Sequence, residues 1–157
     1  MSNVQVLLVD DHDQTRASFR QIVNCFNGFQ VVAEASDGHT AIHLIRQLKP
    51  DIALLDINTP GINGLNTTTQ IKQFTPDTRV IILSSHTGKD YTLEAFHVGA
   101  MGYVNQPALS NELEKALRSV SNGERWFSSV IARQFLQRGP DPLVSLSCPS
   151  RLHTFTS

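Results

Sequence analysis

The feature that most constrains the fold of this 157-residue chain is an alternation of short apolar runs and amphipathic segments, repeated five times. The apolar runs are nearly continuous and rich in β-branched residues, as expected of strands buried on both faces. The segments between them repeat apolar residues at helical spacing, for example Phe19, Ile22, Val23 and Phe26 in the first. Repeated strand–helix units predict an α/β protein with a doubly wound parallel sheet and helices on both faces. The predicted strands cover residues 4–9, 30–35, 51–56, 79–84 and 102–104.

Composition is that of one globular domain with a short appendage. Hydrophobic residues make up 40% of the chain and charged residues 17%, and the length is too short for two full domains. A net charge of −1 gives no electrostatic reason to expect binding to nucleic acid or membranes. Cys25 and Cys148 lack CxxC spacing, and no segment resembles a signal peptide or a membrane span. We therefore expect a reduced, cytoplasmic protein.

Three aspartates follow two of the predicted strands. Asp10 and Asp11 close the first strand, and Asp56 closes the third. Side chains at the carboxyl ends of neighbouring parallel strands converge in the crevice where α/β proteins bind ligands. Crowded carboxylates repel one another unless a hard cation such as Mg²⁺, or several hydrogen-bond donors, compensates their charge. The three acids predict a metal-assisted phosphoryl site; the alternative is that they are strand-end caps and solvated turn residues.

Five motifs, in order, resemble the receiver domains of two-component response regulators, most closely the NarL/FixJ subfamily. Each motif alone is weak, but five at the family's spacing, spread over about residues 4–121, are specific. They read LLVDDH at 7–12, DIALLD at 51–56, PGING at 60–64, VIILS at 80–84 and GAMGYV at 99–104.

The resemblance implies a flavodoxin-like (βα)5 fold with strand order 2-1-3-4-5, which places the first strand between the second and third. Asp56 matches the family's phosphoacceptor, whose carboxylate attacks a phosphoryl group in line. The implied Mg²⁺ ligands are Asp10, Asp11, Asp56 and the backbone carbonyl of Asn58. The implied partner is a histidine kinase that supplies the phosphoryl group.

Two further positions match the family's switch, and a third departs from it. Ser84 matches the switch hydroxyl and Tyr103 the switch aromatic; taken alone they would be a strand-end serine and a half-buried strand aromatic. The family's lysine after the fifth strand is replaced by Gln106, and we predict a cis peptide bond between Gln106 and Pro107. An ammonium about 4 Å from an anion contributes about 4 kcal/mol at an effective dielectric constant near 20, before desolvation. Its loss should weaken the coupling between phosphorylation and the switch.

Three hypotheses for function follow. The first is a response-regulator receiver that accepts a phosphoryl group on Asp56, a regulatory module rather than a turnover enzyme, in a subfamily that normally controls transcription. The second is a receiver-like interaction domain that works without phosphorylation, which the replacement at Gln106 favours. The third is a small phosphotransfer hydrolase, against which the missing lysine argues. Homodimerisation is left open.

We predict a receiver domain over 1–122, a linker with a short helix over 123–139 and a disordered tail over 140–157. Arg125, Trp126 and Phe127 in the linker fit a hinge that packs onto the domain better than a nucleic-acid platform. After residue 147 no recognition helix or basic stripe is evident, so we expect no specific DNA binding by this chain alone.

We expect four histidines to have no part in the site chemistry. His12 and His86 flank the predicted acidic pocket and are expected to be loop residues. His39 and His43 have the i, i+4 spacing of a metal-binding pair, but no carboxylate or cysteine completes the set. We expect this pair to face the surface or a groove.

Overall fold

Strands and helices alternate along the whole described part of the chain. The computed structural model describes residues 3–56, 63–84, 89–105 and 109–127. The five predicted strands and the five helices predicted between them are found, with bounds that differ from the predictions by one residue or two. The short helix predicted in the linker lies outside the described residues. The elements are β1 Val4–Val9, α1 Asp13–Cys25, β2 Phe29–Ala35, α2 Gly38–Leu48, β3 Ile52–Asp56, α3 Gly64–Phe74, β4 Arg79–Ser84, α4 Lys89–His97, β5 Gly102–Asn105, α5 Leu109–Ser121 and β6 Trp126–Phe127.

The strands form one parallel sheet in the order β2-β1-β3-β4-β5-β6. The predicted order 2-1-3-4-5 is confirmed, and it makes β1 and β3 neighbours. The short strand β6 was not predicted: Trp126 and Phe127 pair with Gly102 and Tyr103 at the edge of β5. A Cβ atom on Gly102 would lie 3.0 Å from Ile81 and 3.3 Å from the Trp126 carbonyl. The close packing of β5 between Ile81 and β6 therefore favours glycine at this position.

Helices cover both faces of the sheet. On one face α2, α3 and α4 bury Ala41, Ile45, Ile71 and Ala95 against it. On the other face α1 and α5 bury a second cluster, which includes Phe19, Val23, Leu113, Ala116, Leu117 and Val120. Each fully buried aliphatic side chain contributes about 1.5–3 kcal/mol of transfer free energy. The carboxyl ends of the strands lie at the edge of the sheet, between the helices that pack on its two faces.

Side-chain caps begin the two helices α2 and α3. The Asp37 carboxylate accepts a hydrogen bond from the backbone N–H of Thr40 at 2.7 Å, which lowers the pKa of Asp37. Asn63 accepts in the same way from the N–H of Asn66 at 3.1 Å. A Cβ atom on Gly38 would lie 2.6 Å from the Thr67 hydroxyl, so α2 begins in close contact with α3. Within the described ranges, no helix combines the length and the hydropathy that crossing a bilayer requires.

Candidate functional site

Two buried aspartates lie side by side at the carboxyl end of the sheet. The register pairs Val9 of β1 with Leu55 of β3, so the residues that follow, Asp10 and Asp56, are neighbours across these strands. Their exposed fractions are only 2% and 3%. Both line a narrow crevice that also contains Arg16 of α1. The parallel register therefore brings together acids that are 46 positions apart in the sequence.

Asp10 is held firmly at one carboxylate oxygen and lacks a partner at the other. Oδ1 accepts a hydrogen bond from the backbone N–H of His12 at 2.9 Å. Oδ2 is buried and, within the described part of the chain, has no hydrogen-bond partner. A buried anionic oxygen without a donor is costly. The carboxylate oxygens at this point are ligands that a hard cation prefers. Such a cation would compensate the negative charge of Oδ2.

The acidic group extends outwards from Asp10 to Asp11 and His12. Ligand atoms of these three side chains lie within 4.8 Å of one another. His12 Nδ1 is 3.5 Å from Asp11 Oδ1 and 3.7 Å from Asp10 Oδ1. His12 does lie in the loop before α1, as expected, and its imidazole is largely exposed at the rim of the acidic group. Asp10 is thus buried, whereas Asp11 and His12 are accessible to solvent.

Sequence analysis missed Arg16, which holds the loop that carries the acids. Its Nη1 donates to the backbone carbonyl of Asp10 at 2.7 Å, and its Nη2 donates to Asp13 at 2.8 Å. Its Nε donates to Glu34 of β2 at 2.9 Å, and Arg20 donates to the other Glu34 oxygen at 2.8 Å. The i, i+3 pair with Asp13 was visible in the sequence, but the contacts with Glu34 and Asp10 depend on the fold.

Opposite charges in this network stabilise one another. Partial burial by itself would raise the pKa of Glu34, but hydrogen bonds from Arg20 and Arg16 hold it below its ordinary value. Burial likewise opposes the charge on Arg16, yet its hydrogen bonds to Glu34 and Asp13 leave its pKa raised. The guanidinium and the carboxylate both stay charged at neutral pH, and they join the β1–α1 loop to the edge strand β2.

Ser84 and Tyr103 lie on the same face of the sheet. Ser84 is on β4, next to the strand that carries Asp56, and Tyr103 is one strand further out, on β5. Asp56 pairs with Leu83, so Ser84 is one residue further along β4. Tyr103 pairs with Ile82, and strand alternation puts its side chain on the face that also carries Ser84. Tyr103 is fully buried rather than half-buried, because Phe127 of β6 stacks on it with ring centroids 6.2 Å apart. The expectation of a half-buried tyrosine was wrong since it did not include β6.

The linker segment before residue 128 packs onto the domain. Trp126 and Phe127 are both buried. Arg125 lies over the Phe96 ring of α4 at 4.3 Å, and Phe96 contacts Phe127 at 5.6 Å between centroids. This agrees with the predicted hinge that packs onto the domain. The two aromatic rings are therefore not available for stacking with bases, although Arg125 is exposed.

Other predicted residues lie outside the described part of the chain. These are Asn58, His86 and Gln106 with its predicted cis bond to Pro107, together with most of the predicted linker and the whole predicted tail. His39 and His43 are described, and both line a groove between α2 and α3, as expected. Their role is considered separately below.

Comparisons with known proteins agree with this architecture. The family model described as "Response regulator receiver domain" matches residues 6–118. Response regulator UvrY of Escherichia coli is 37% identical over 150 residues, which cover 92% of this chain and 69% of UvrY. Response regulator GacA of Pseudomonas aeruginosa is 34% identical over 88% of this chain and 65% of its own length.

Solved structures show the same relationship. A LuxR-family two-component response regulator from Aurantimonas superposes with a TM-score of 0.83 at 35% identity, covering 87% of this chain and 98% of that one. The receiver domain of the putative response regulator NarL from Mycobacterium tuberculosis superposes with a TM-score of 0.74 at 30% identity, covering 79% of this chain and 100% of that one.

The fold and the buried acids at the ends of β1 and β3 define a signalling receiver of the flavodoxin-like class. The chain belongs to the response regulator receiver domain family, and its relatives are of the NarL/FixJ type. It is therefore a receiver domain of two-component signal transduction, and its homologues are signalling proteins rather than classical enzymes.

Proposed function

We propose that this chain accepts a phosphoryl group on Asp56 from a phosphohistidine of a histidine kinase. The observation that carries the proposal is the pair of buried carboxylates, Asp56 at the end of β3 and Asp10 at the end of β1. Two nearly inaccessible carboxylates side by side repel each other, and this repulsion costs folding free energy. Such a cost fits a site that binds a cation and a phosphoryl group.

The chemistry follows from the carboxylate at the strand end. An oxygen of Asp56 attacks phosphorus in line, the bond from phosphorus to the imidazole nitrogen breaks, and the leaving imidazole keeps the electron pair and takes up a proton. An acyl phosphate forms on Asp56. The negative charge at this position increases, so the neighbouring acids Asp10 and Asp11 require compensation.

We propose that Asp10, Asp11 and Asp56, with the backbone carbonyl of Asn58, hold a Mg²⁺ ion. When bound, the ion neutralises charge that these carboxylates and the phosphoryl oxygens share. The unpartnered Asp10 Oδ2 supports this assignment. Arg16 keeps the loop of Asp10 in place through its hydrogen bond to the Asp10 carbonyl, at 2.7 Å.

The signal would leave the site through Ser84 and Tyr103. A hydroxyl at the end of β4 can donate a hydrogen bond to a phosphoryl oxygen on the adjacent strand. Tyr103 is on the same face of the sheet, two residues earlier in the register. Movement of Ser84 towards the phosphoryl group would change the packing around Tyr103 and so the surface near α4 and β5.

The replacement of lysine by Gln106 favours a second candidate, an interaction domain that works without phosphorylation. An amide donates a hydrogen bond but brings no charge to the phosphoryl group. In either case the expected output is regulation of transcription, as its relatives among response regulators suggest. Homodimerisation of the phosphorylated form belongs to the same proposal, and we expect no specific DNA complex from this chain alone.

Labelling by a small phosphodonor such as acetyl phosphate tests the proposal. We expect acid-labile label on the parent protein with Mg²⁺, little label with EDTA, and none on Asp56→Asn. Asp77→Asn is the matched control, because Asp77 is an exposed acid that precedes β4 at the opposite end of the strand. Label that persists in Asp56→Asn would overturn the assignment of the acceptor. A parent protein that takes no label would favour the second candidate, and steady release of phosphate would favour a hydrolase.

A further inference from the structure

Helices α2 and α3 form a surface with a charge unlike that of the rest of the chain. The sequence has 14 acidic residues, yet none lies on Gly38–Leu48 or Gly64–Phe74. The other described helices α1, α4 and α5 each carry at least one acid. The Asp37 carboxylate caps α2 and interacts with His39. The cations carried by the two helices themselves are Arg46 and Lys72, in a protein whose net charge is −1.

An open groove of about 600 Å³ runs between these two helices. We call it the α2–α3 groove. The proposed phosphoacceptor Asp56 does not line it, so it is separate from the acidic site. Its lining residues are His39, Ile42, His43, Arg46, Gln47, Gln70 and Phe74.

Arg46 and Phe74 form the centre of the groove. The Arg46 guanidinium lies over the Phe74 ring, 4.7 Å from its centroid. Phe74 is 47% exposed and is one of only two large hydrophobic side chains left exposed in the described part of the chain. No carboxylate of the described residues forms an ion pair with Arg46, whereas Arg16, Arg20 and Arg118 each pair with an acid. Arg46 therefore has guanidinium donors available for an external carboxylate.

We propose that the α2–α3 groove docks an acidic segment of a partner protein that also carries an apolar side chain. The carboxylates would bind Arg46, His39 and His43, since an imidazole can donate a hydrogen bond whether neutral or protonated. The apolar side chain would pack on Phe74 and Ile42 and remove their surface from water. Gln47 of α2 and Gln70 of α3 can form hydrogen bonds with the backbone of an extended peptide in the groove.

Charge complementarity favours an acidic peptide over other occupants. A nucleic acid would require a longer basic track than the single arginine that lines this groove. The one other lysine or arginine of these helices, Lys72, does not line the groove. It donates to the carbonyl of Pro76, and burial lowers its pKa. The groove thus offers a short charged site beside an apolar one.

Fluorescence anisotropy with the full chain tests the proposal. The probe is a labelled pool of short peptides in which Asp or Glu alternates with Leu or Phe, and the matched pool has Lys in place of the acids. We expect the acidic pool to bind with a Kd of about 10–100 µM and the basic pool not to bind. Arg46→Ala and Phe74→Ala should each weaken binding by about fivefold or more. Lys115→Ala removes a similar exposed positive charge from α5 and should change nothing.

Because Arg46 and Phe74 are exposed, both variants should fold, and unfolding curves check this. NMR gives a local readout, since the side-chain amides of Gln47 and Gln70 should shift on addition of the acidic pool. The proposal is overturned if the acidic pool fails to bind or if Lys115→Ala weakens binding as much as Arg46→Ala. It is equally overturned if oligothymidylate binds more tightly than the acidic pool. Self-association that Phe74→Ala abolishes would make a second copy the occupant and overturn it as well.

Discussion

At the scale of single residues, the acidic site is shaped by the difference between the two oxygens of Asp10. One accepts a backbone hydrogen bond from His12, and the other is buried without a partner among the described residues. The carboxylate is nearly inaccessible to water, so its charge is poorly solvated in the protein alone. We expect this buried charge to lower the stability of the protein when no divalent cation is bound.

Asp10→Asn should therefore raise the stability of the metal-free protein. The neutral amide keeps an oxygen for the His12 N–H and removes the buried charge, a gain of about 1–3 kcal/mol. Thermal unfolding in EDTA and in Mg²⁺ measures this: the variant should unfold at a higher temperature in EDTA, and Mg²⁺ should stabilise only the parent. Asp11→Asn is the control, because Asp11 is 30% exposed and should give a smaller gain. A variant that unfolds earlier than the parent in EDTA would contradict the argument.

Gln106→Lys should strengthen the response to a phosphodonor. The ammonium would lie near the phosphoryl group on Asp56 and compensate part of its charge. We expect a larger conformational change per labelled molecule, measured as NMR shifts at Ser84 and Tyr103, with acid-labile labelling measured in parallel. The gain should vanish in the Asp56→Asn background. Equal labelling and equal shifts in parent and variant would show that Gln106 already serves in place of the lysine.

At the scale of elements, β6 changes how the proposed switch is packed. Two residues suffice to form it, because the edge of β5 offers unpaired backbone groups and Gly102 permits close approach. Phe127 then covers Tyr103 on one side and contacts Phe96 of α4 on the other. Any movement of the Tyr103 ring would disturb this aromatic cluster, so we expect the linker and the proposed switch to be coupled.

Phe127→Ala tests that coupling. The loss of a buried ring should lower the free energy of unfolding by about 3–5 kcal/mol. The ring resonances of Tyr103 should shift as well, because the stacked neighbour is gone. Phe74→Ala is the control; its exposed ring should cost less than about 0.5 kcal/mol and leave Tyr103 unchanged. If Phe127→Ala has no effect on stability or on Tyr103, β6 does not pack as described.

At the scale of the whole molecule, charge is divided among distinct regions. The carboxyl end of the sheet is acidic, the α2–α3 groove is basic, and the edge strand β2 is joined to α1 by the paired charges of Arg16, Glu34 and Arg20. The depressed pKa of Glu34 links this last region to acid stability. Its contribution is fully present above the pKa of an unfolded glutamate, about 4.3, and is lost as the pH falls through the lower folded value.

Glu34→Gln should lower stability at neutral pH by about 1 kcal/mol and flatten the loss of stability between about pH 5 and pH 3. Urea unfolding across this range measures both effects. The control is Glu114→Gln, which removes an exposed i, i+4 pair with Arg118 and should cost only about 0.2–0.5 kcal/mol. A Glu34→Gln profile that stays parallel to that of the parent would show that the network does not contribute to acid sensitivity.

Local patterns in the sequence were sufficient for the strands β1 to β5, for the five helices α1 to α5 and for the position of the acids. Strand and helix periodicity is visible within a few residues, and Asp10, Asp11 and Asp56 follow apolar runs whose ends can be read directly. The strand order came from the resemblance to a family, since periodicity alone does not say which strands are neighbours. Together these placed Asp10 beside Asp56, as the register of β1 and β3 shows.

Only the tertiary structure decided the contacts between residues far apart in the chain. The pairing of β6 with β5, the full burial of Tyr103 and the bridge from Arg16 to Glu34 all join segments whose individual sequences carry no signal of their partner. The α2–α3 groove likewise depends on how the two helices pack, which includes the close contact of Gly38 with Thr67. The physical reason is that a local pattern sets which face of an element is apolar, whereas packing and register set what that face meets.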